Sequence, residues 1–206
     1  GSKSAFINYG TAIVNGSFSP CGSFTNENTF STTGDFNLNS NSNFMNNGII
    51  SIGGTMNVNT NNVCTNNGSI TTNQSFQLNN NSEFVNNCLL WVKADYNHNN
   101  NAVLKNYSLV KVNNTTTLNG NNGELALYNG AMLRTTNMTI NNKIKGYGTT
   151  SLVKVSGNTT INSGRIENAI QYCDLNGIET NNNAQFTGGA VQACSIYIPV
   201  SNCNTE

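Results

Sequence analysis

The residues able to do chemistry are few in this chain, and their spacing scatters them. Nine carboxylates are present, and only three are aspartates, Asp35, Asp95 and Asp174. Cleaving a glycosidic bond takes two carboxyl groups about 5–10 Å apart. Asp35 and Asp95 are distant in sequence, and neither Glu83 nor Glu124 falls in step with Asp95. The single histidine, His98, has no serine or cysteine in step with it to form a nucleophile–base pair. The six cysteines include no Cys-x-x-Cys pair, so a zinc site is not expected. The sole tryptophan, Trp91, offers different chemistry. An indole face packs on the C–H face of a pyranose, while neighbouring amides and charges bond its hydroxyls. Lys93, Asp95, Asn97 and Lys111 are the polar residues spaced to assist it, with Tyr107, Leu89 and Leu109 nearby.

These residues are positioned by a repeat. Phe44-Met45-Asn46-Asn47-Gly48-Ile49-Ile50 returns as Cys64-Thr65-Asn66-Asn67-Gly68-Ser69-Ile70. It returns again as Phe84-Val85-Asn86-Asn87-Cys88-Leu89-Leu90, then as Leu104-Lys105-Asn106-Tyr107-Ser108-Leu109-Val110. The interval between copies is constant and free of insertions, which marks a solenoid. Apolar columns follow it: Phe30, Ile50, Ile70, Leu90, Val110; then Phe36, Met56, Phe76, Tyr96; then Leu38, Val58, Leu78, His98, Leu118. Within a segment the apolar residues alternate, as in Leu90 and Val92, so the elements are strands. His98 thus takes a leucine position and reads as a core imidazole bonded to an asparagine or a backbone group.

Asparagine, at 45 residues, also keeps register. One column is Asn39, Asn59, Asn79, Asn99, Asn119, Asn141, Asn162; others are Asn41 to Asn121 and Asn46 to Asn106. Stacked amides bond the same residue one coil away, and asparagine tolerates the left-handed turn conformation. The expected fold is therefore all-β, a right-handed parallel β-helix with coils of about 20 residues and irregular, cysteine-containing caps. Seven or eight coils would make a rod of roughly 35–40 Å. One domain is expected over 1–206: a cap and first coil at 1–29, regular coils at 30–164, and final coils with a cap at 165–206. Cys173, Cys194 and Cys203 are candidates for a C-terminal disulfide. Cys64 reads as a core thiol, with a Cys64–Cys88 bridge as an alternative. Past Leu118 the register is open: either Arg134 points inward, or a bulge makes Leu133 the inward residue.

In this frame Asp35 and Asp95 lie three coils apart, about 14 Å, too far for a catalytic pair. Residues 90 and 92 point inward, so Ser51, Thr71, Trp91 and Lys111 form an outward column, with Ile49, Ser69, Leu89 and Leu109 beside it. A large apolar group on an outer face marks a binding surface, unless a loop or the C-terminal tail covers it.

The repeat resembles the asparagine-rich β-helical segments of secreted bacterial surface and polysaccharide-degrading proteins. More narrowly, it resembles β-helical carbohydrate-binding modules attached to xylan-degrading enzymes. The resemblance covers residues 30–162. It implies a non-catalytic module, monomeric and secreted or on a bacterial cell surface, appended to a larger enzyme or adhesin. The partner it implies is a plant polysaccharide, xylan or a related β-glycan, with no cofactor and no metal. A net charge of zero sets aside nucleic acid and anionic membranes as partners. The alternative is an adhesin or stalk whose rod shape is its function. An ice-binding face would need a regular threonine array, and the mixed column Asn57, Gln77, Asn97, Thr117, Thr139, Thr160 does not supply one.

Overall fold

The computed structural model describes residues 4–120 and 122–194. Three parallel sheets wind along one axis, and each coil between the two terminal ones contributes in turn to all three. The first sheet has ten strands, from Ser4–Asn8 to Gln185–Thr187. The second has ten, from Thr11–Val14 to Val191–Gln192, and the third has eight, from Phe36–Leu38 to Ile178–Asn182. One coil reads Glu83–Asn86, Leu89–Val92, Tyr96–His98. The sequence repeat is the literal register, with Thr71 opposite Trp91 and Trp91 opposite Lys111. The solenoid is longer than the seven or eight coils expected, because both ends join it. Phe6 pairs with Phe24, a shorter step than the repeat, and Ile166 pairs with Phe186. The short first step and the uneven steps that precede Ile166, not a change of fold, hide these ends from a search at a constant interval.

Alternation explains the interior. The inward columns are almost fully buried, among them Phe36, Met56, Phe76 and Tyr96. Phe18, Phe24, Phe30, Phe36 and Phe44 interlock at one end of the core, with ring centroids 4.9–5.8 Å apart. At the corner after the third sheet, Asn41, Asn61, Asn81 and Asn101 have φ of 62°, 59°, 57° and 55°. That left-handed conformation costs asparagine less than other side-chain-bearing residues. The column of Asn41 to Asn101 is thus a geometric requirement; Asn121 lies outside the described residues.

A second column does something else. Asn8, Asn26, Asn46, Asn66, Asn86 and Asn106 are buried, and each side-chain amide up to Asn86 donates to the side-chain oxygen one coil on, at 2.7–2.8 Å. The same nitrogens also donate to backbone carbonyls such as Leu89 and Leu109. One residue along, an exposed ladder joins Glu27, Asn47, Asn67 and Asn87.

Cys173 is bonded to Cys194, as expected for the C-terminal end; Cys203 lies outside the described residues. Cys64 is a free, buried thiol whose pKa burial pushes up, so the alternative Cys64–Cys88 bridge does not form. Past Leu118, Leu133 pairs with the inward Val110, and Arg134 pairs with the outward Lys111. His98 is a buried imidazole bonded to a backbone group, as expected, and its second partner is a tyrosine hydroxyl rather than an asparagine. Its Nε2–H donates to the Ala102 carbonyl at 2.8 Å, and its Nδ1 accepts from the Tyr96 hydroxyl at 2.7 Å. Burial lowers its pKa to about 4, against a smaller upward pull from the Ala102 bond.

Candidate functional site

The outward column through Trp91 reads Ser31, Ser51, Thr71, Trp91, Lys111, Arg134 and Lys154 in strict register. Two shallow depressions lie along it, on either side of the indole. One is lined by Ser31, Ser51, Thr71, Asn73 and Lys93 among others. The other is lined by Lys111, Asn113, Arg134, Thr136, Lys154 and Ser156. The column is straight because parallel strands of equal period stack without offset, and stiff because each strand is bonded on both sides.

Trp91 is half-buried and fixed in orientation. Its Nε1–H donates to Asn113 Oδ1 at 3.0 Å. The Lys111 ammonium stands 4.0 Å from the ring centroid and that of Lys93 stands 5.5 Å away. These contacts assemble three of the expected site residues. A ligand stacking on the face that Lys111 covers must displace a flexible, partly solvated ammonium, an interaction worth roughly 0.5–1 kcal/mol at an exposed site.

The other expected residues are placed differently. Leu89 is only 9 % exposed, and Leu109 packs against the buried Met132, Leu152 and Cys173. Beside the tryptophan the row is therefore closed at Leu89 and partly covered at Leu109, while Ile49 at its other end stays exposed. Asp95 accepts from the Thr115 backbone N–H at 3.1 Å and from the Asn114 amide at 2.7 Å. Asp35 likewise accepts from the Thr55 backbone N–H, so this aspartate column clamps a turn to the next coil. Asn97 belongs to the third sheet, between Gln77 and Thr117, on a different face from Trp91. Tyr107 stacks on Tyr128 at 4.4 Å, and Tyr128 on Tyr147 at 4.7 Å. It opens a tyrosine ladder that continues the exposed asparagine column. At its far end Tyr147 donates to Glu124 at 2.6 Å, and Lys143 pairs with the same carboxylate at 2.6 Å. Burial would raise the Glu124 pKa, but these two partners outweigh it and hold it below the usual range.

Sequence reading missed Arg134 and Lys154, because the register after Leu118 was open. They change the electrostatics of the face. On the first sheet, cations sit beside carboxylates: Lys105 on Glu83 at 2.7 Å, Lys143 on Glu124, and Arg165 near Glu167 at 3.7 Å. On the second sheet, Lys93, Lys111, Arg134 and Lys154 make no ion pair among the described residues. No outward position from 49 to 154 in that sheet is Asp or Glu. Like charges directly opposed in a sheet are destabilising, and here three are stacked in successive coils.

Among the described residues, no group of three or more His, Cys, Asp or Glu is placed to hold a metal ion, and no helix is long and apolar enough to cross a membrane. No family model, no curated protein and no solved structure matches the chain.

Proposed function

We propose that this solenoid is a non-catalytic carbohydrate-binding module, holding a plant-type polysaccharide of the xylan class on the outward face of the second sheet. The observation that carries the reading is Trp91: the chain's only indole, fixed by Asn113, mid-way along a straight column of hydroxyl and cationic side chains with the amides of Asn73 and Asn113 beside it. Little of that face needs ordering when a long ligand lies along it, which lowers the cost of binding. The aromatic supplies apolar contact and the flanking groups supply hydrogen bonds. Secretion, display on a bacterial surface and attachment to a larger enzyme or adhesin belong to the same proposal. The Cys173–Cys194 disulfide supports an oxidising compartment.

The test is retention of the chain on a panel of xylan, glucans, mannan and pectin, soluble and insoluble. Trp91→Ala is expected to weaken retention about tenfold or more, the loss of one aromatic anchor. Its thermal midpoint is expected to stay within a few degrees of wild type, because the side chain lies outside the core. If the unaltered chain is retained on no glycan, the reading fails and a stalk role takes its place.

A further inference from the structure

We infer that the glycan bound by this face is acidic, a polysaccharide carrying uronate carboxylates that seat on Lys111, Arg134 and Lys154. The inference deepens the carbohydrate-binding reading and rests on it. Its ground is the sorting of charge by face. A chain of zero net charge pairs the first-sheet cations Lys105, Lys143 and Arg165 with Glu83, Glu124 and Glu167, and Lys145 of the same sheet stands over the Tyr147 ring and opposite Glu167 in register. Among the described residues it leaves the second-sheet column without an ion pair, with Lys111 opposite Arg134 and Arg134 opposite Lys154. Such stacking opposes folding, so an anionic ligand that neutralises it gains what the free protein forgoes. Arg134 is exposed, and its planar guanidinium can fork a carboxylate through two parallel hydrogen bonds. Thr136 and Ser156 line the same depression and offer hydroxyls to the rest of the sugar.

The other half of the column says what the ligand is not. From Ser31 to Thr71 it carries small hydroxyls, and Lys93 is the one cation lining the depression beside it. A nucleic acid, charged at every unit, would want cations along the whole length. A glycan with a neutral backbone and carboxylates at intervals matches both halves, with Trp91 at their junction.

The experiment uses the whole chain and two ligands that differ only in charge: xylan bearing glucuronate, and the same xylan with its carboxyls reduced to alcohols. Wild type is expected to bind the reduced ligand about tenfold more weakly, the worth of one or two charge-assisted bonds. Added salt is expected to weaken binding to the acidic ligand alone. Arg134→Gln/Lys154→Gln is expected to bind the two ligands within about twofold of each other, with a thermal midpoint no lower than wild type, since the substitutions remove repulsion. Equal binding of wild type to both ligands overturns the inference and leaves the carbohydrate reading standing. Binding to neither overturns the reading itself. Tighter binding to a single-stranded oligonucleotide than to the acidic xylan overturns the inference in favour of a nucleic-acid site.

Discussion

Replacing Asn66 with alanine is expected to cost the fold about 3–5 kcal/mol, whereas Asn67→Ala, one residue along, is expected to cost less than about 1 kcal/mol. Both residues belong to ladders of the same period, and both bond a neighbour on either side. Asn66 accepts from Asn46 at 2.8 Å and donates to Asn86 at 2.8 Å and to the Leu89 carbonyl at 2.9 Å. Asn67 donates to Asn47 at 2.8 Å and accepts from Asn87 at 2.7 Å. The difference is water. Asn66 is fully buried, so its loss takes its donor from Asn86 Oδ1 and from the Leu89 carbonyl in a dry corner, and removes one of the three acceptors of the Asn46 amide, which keeps the Gly48 and Ser69 carbonyls. Each stranded group then costs its full desolvation penalty, about 1–3 kcal/mol. Asn67 is exposed, and solvent replaces what the side chain gave. The comparison is read from urea midpoints of the two variants measured side by side. Equal shifts would mean that stacking of like amides, and not their burial, stabilises the solenoid.

The same distinction shows what the sequence could disclose. From Phe30 to Leu118 the coil length is constant, so a residue's face follows from its number, and the columns of Phe36 and of Trp91 are legible without coordinates. Sequence alone could not rank the asparagine columns. Asn41 to Asn101 answer a backbone demand, Asn46 to Asn106 fill a buried corner, and Asn47 to Asn87 decorate the surface, yet all three repeat at the same interval. Past Leu118 the period breaks. Gly120, with φ of 87°, and the Asn129–Gly130 turn, at 49° and 81°, accommodate the extra residues. Val110 therefore meets Leu133 rather than Met132. That one-residue ambiguity hid Arg134 and Lys154, two of the four cations on the candidate face that make no ion pair among the described residues. It also hid the tyrosine ladder, because Tyr107, Tyr128 and Tyr147 are unevenly spaced in the sequence. The burial of Leu89 was illegible for another reason: whether an outward residue is covered depends on contacts outside its own strand.

Acidification from pH 7 to pH 4 is expected to remove about 3 kcal/mol of stability through His98, at about 1.4 kcal/mol for each pH unit between the folded and unfolded pKa values. The buried imidazole binds its proton only at about pH 4, whereas the ordinary value is 6.5. Between those values the unfolded chain takes up a proton that the folded chain refuses, so stability rises with pH across that window. The contribution is complete above about pH 6.5 and is lost as pH falls to about 4. Carboxylates such as Glu124 add their own loss nearer the foot of the window, because ion pairing holds that group below its usual range. The upper part, from 6.5 to about 5, belongs to the histidine.

The repeat itself supplies the control. One coil earlier the same two positions hold Phe76 and Leu78. Tyr96→Phe/His98→Leu therefore rebuilds an ordinary coil and removes the hydrogen bond together with both its partners. His98→Leu alone leaves the Tyr96 hydroxyl buried and unpaired. Tyr96→Phe alone leaves Nδ1 without its donor. The Ala102 carbonyl still accepts from the Glu124 backbone N–H in every case. Each single variant is expected to cost about 1–3 kcal/mol at pH 7 and the double variant less than their sum, because the two side chains satisfy one another. The double variant is also expected to show a flat midpoint from pH 6.5 to 5, where wild type declines. A decline of the same slope in the double variant would place the acid sensitivity elsewhere than at His98.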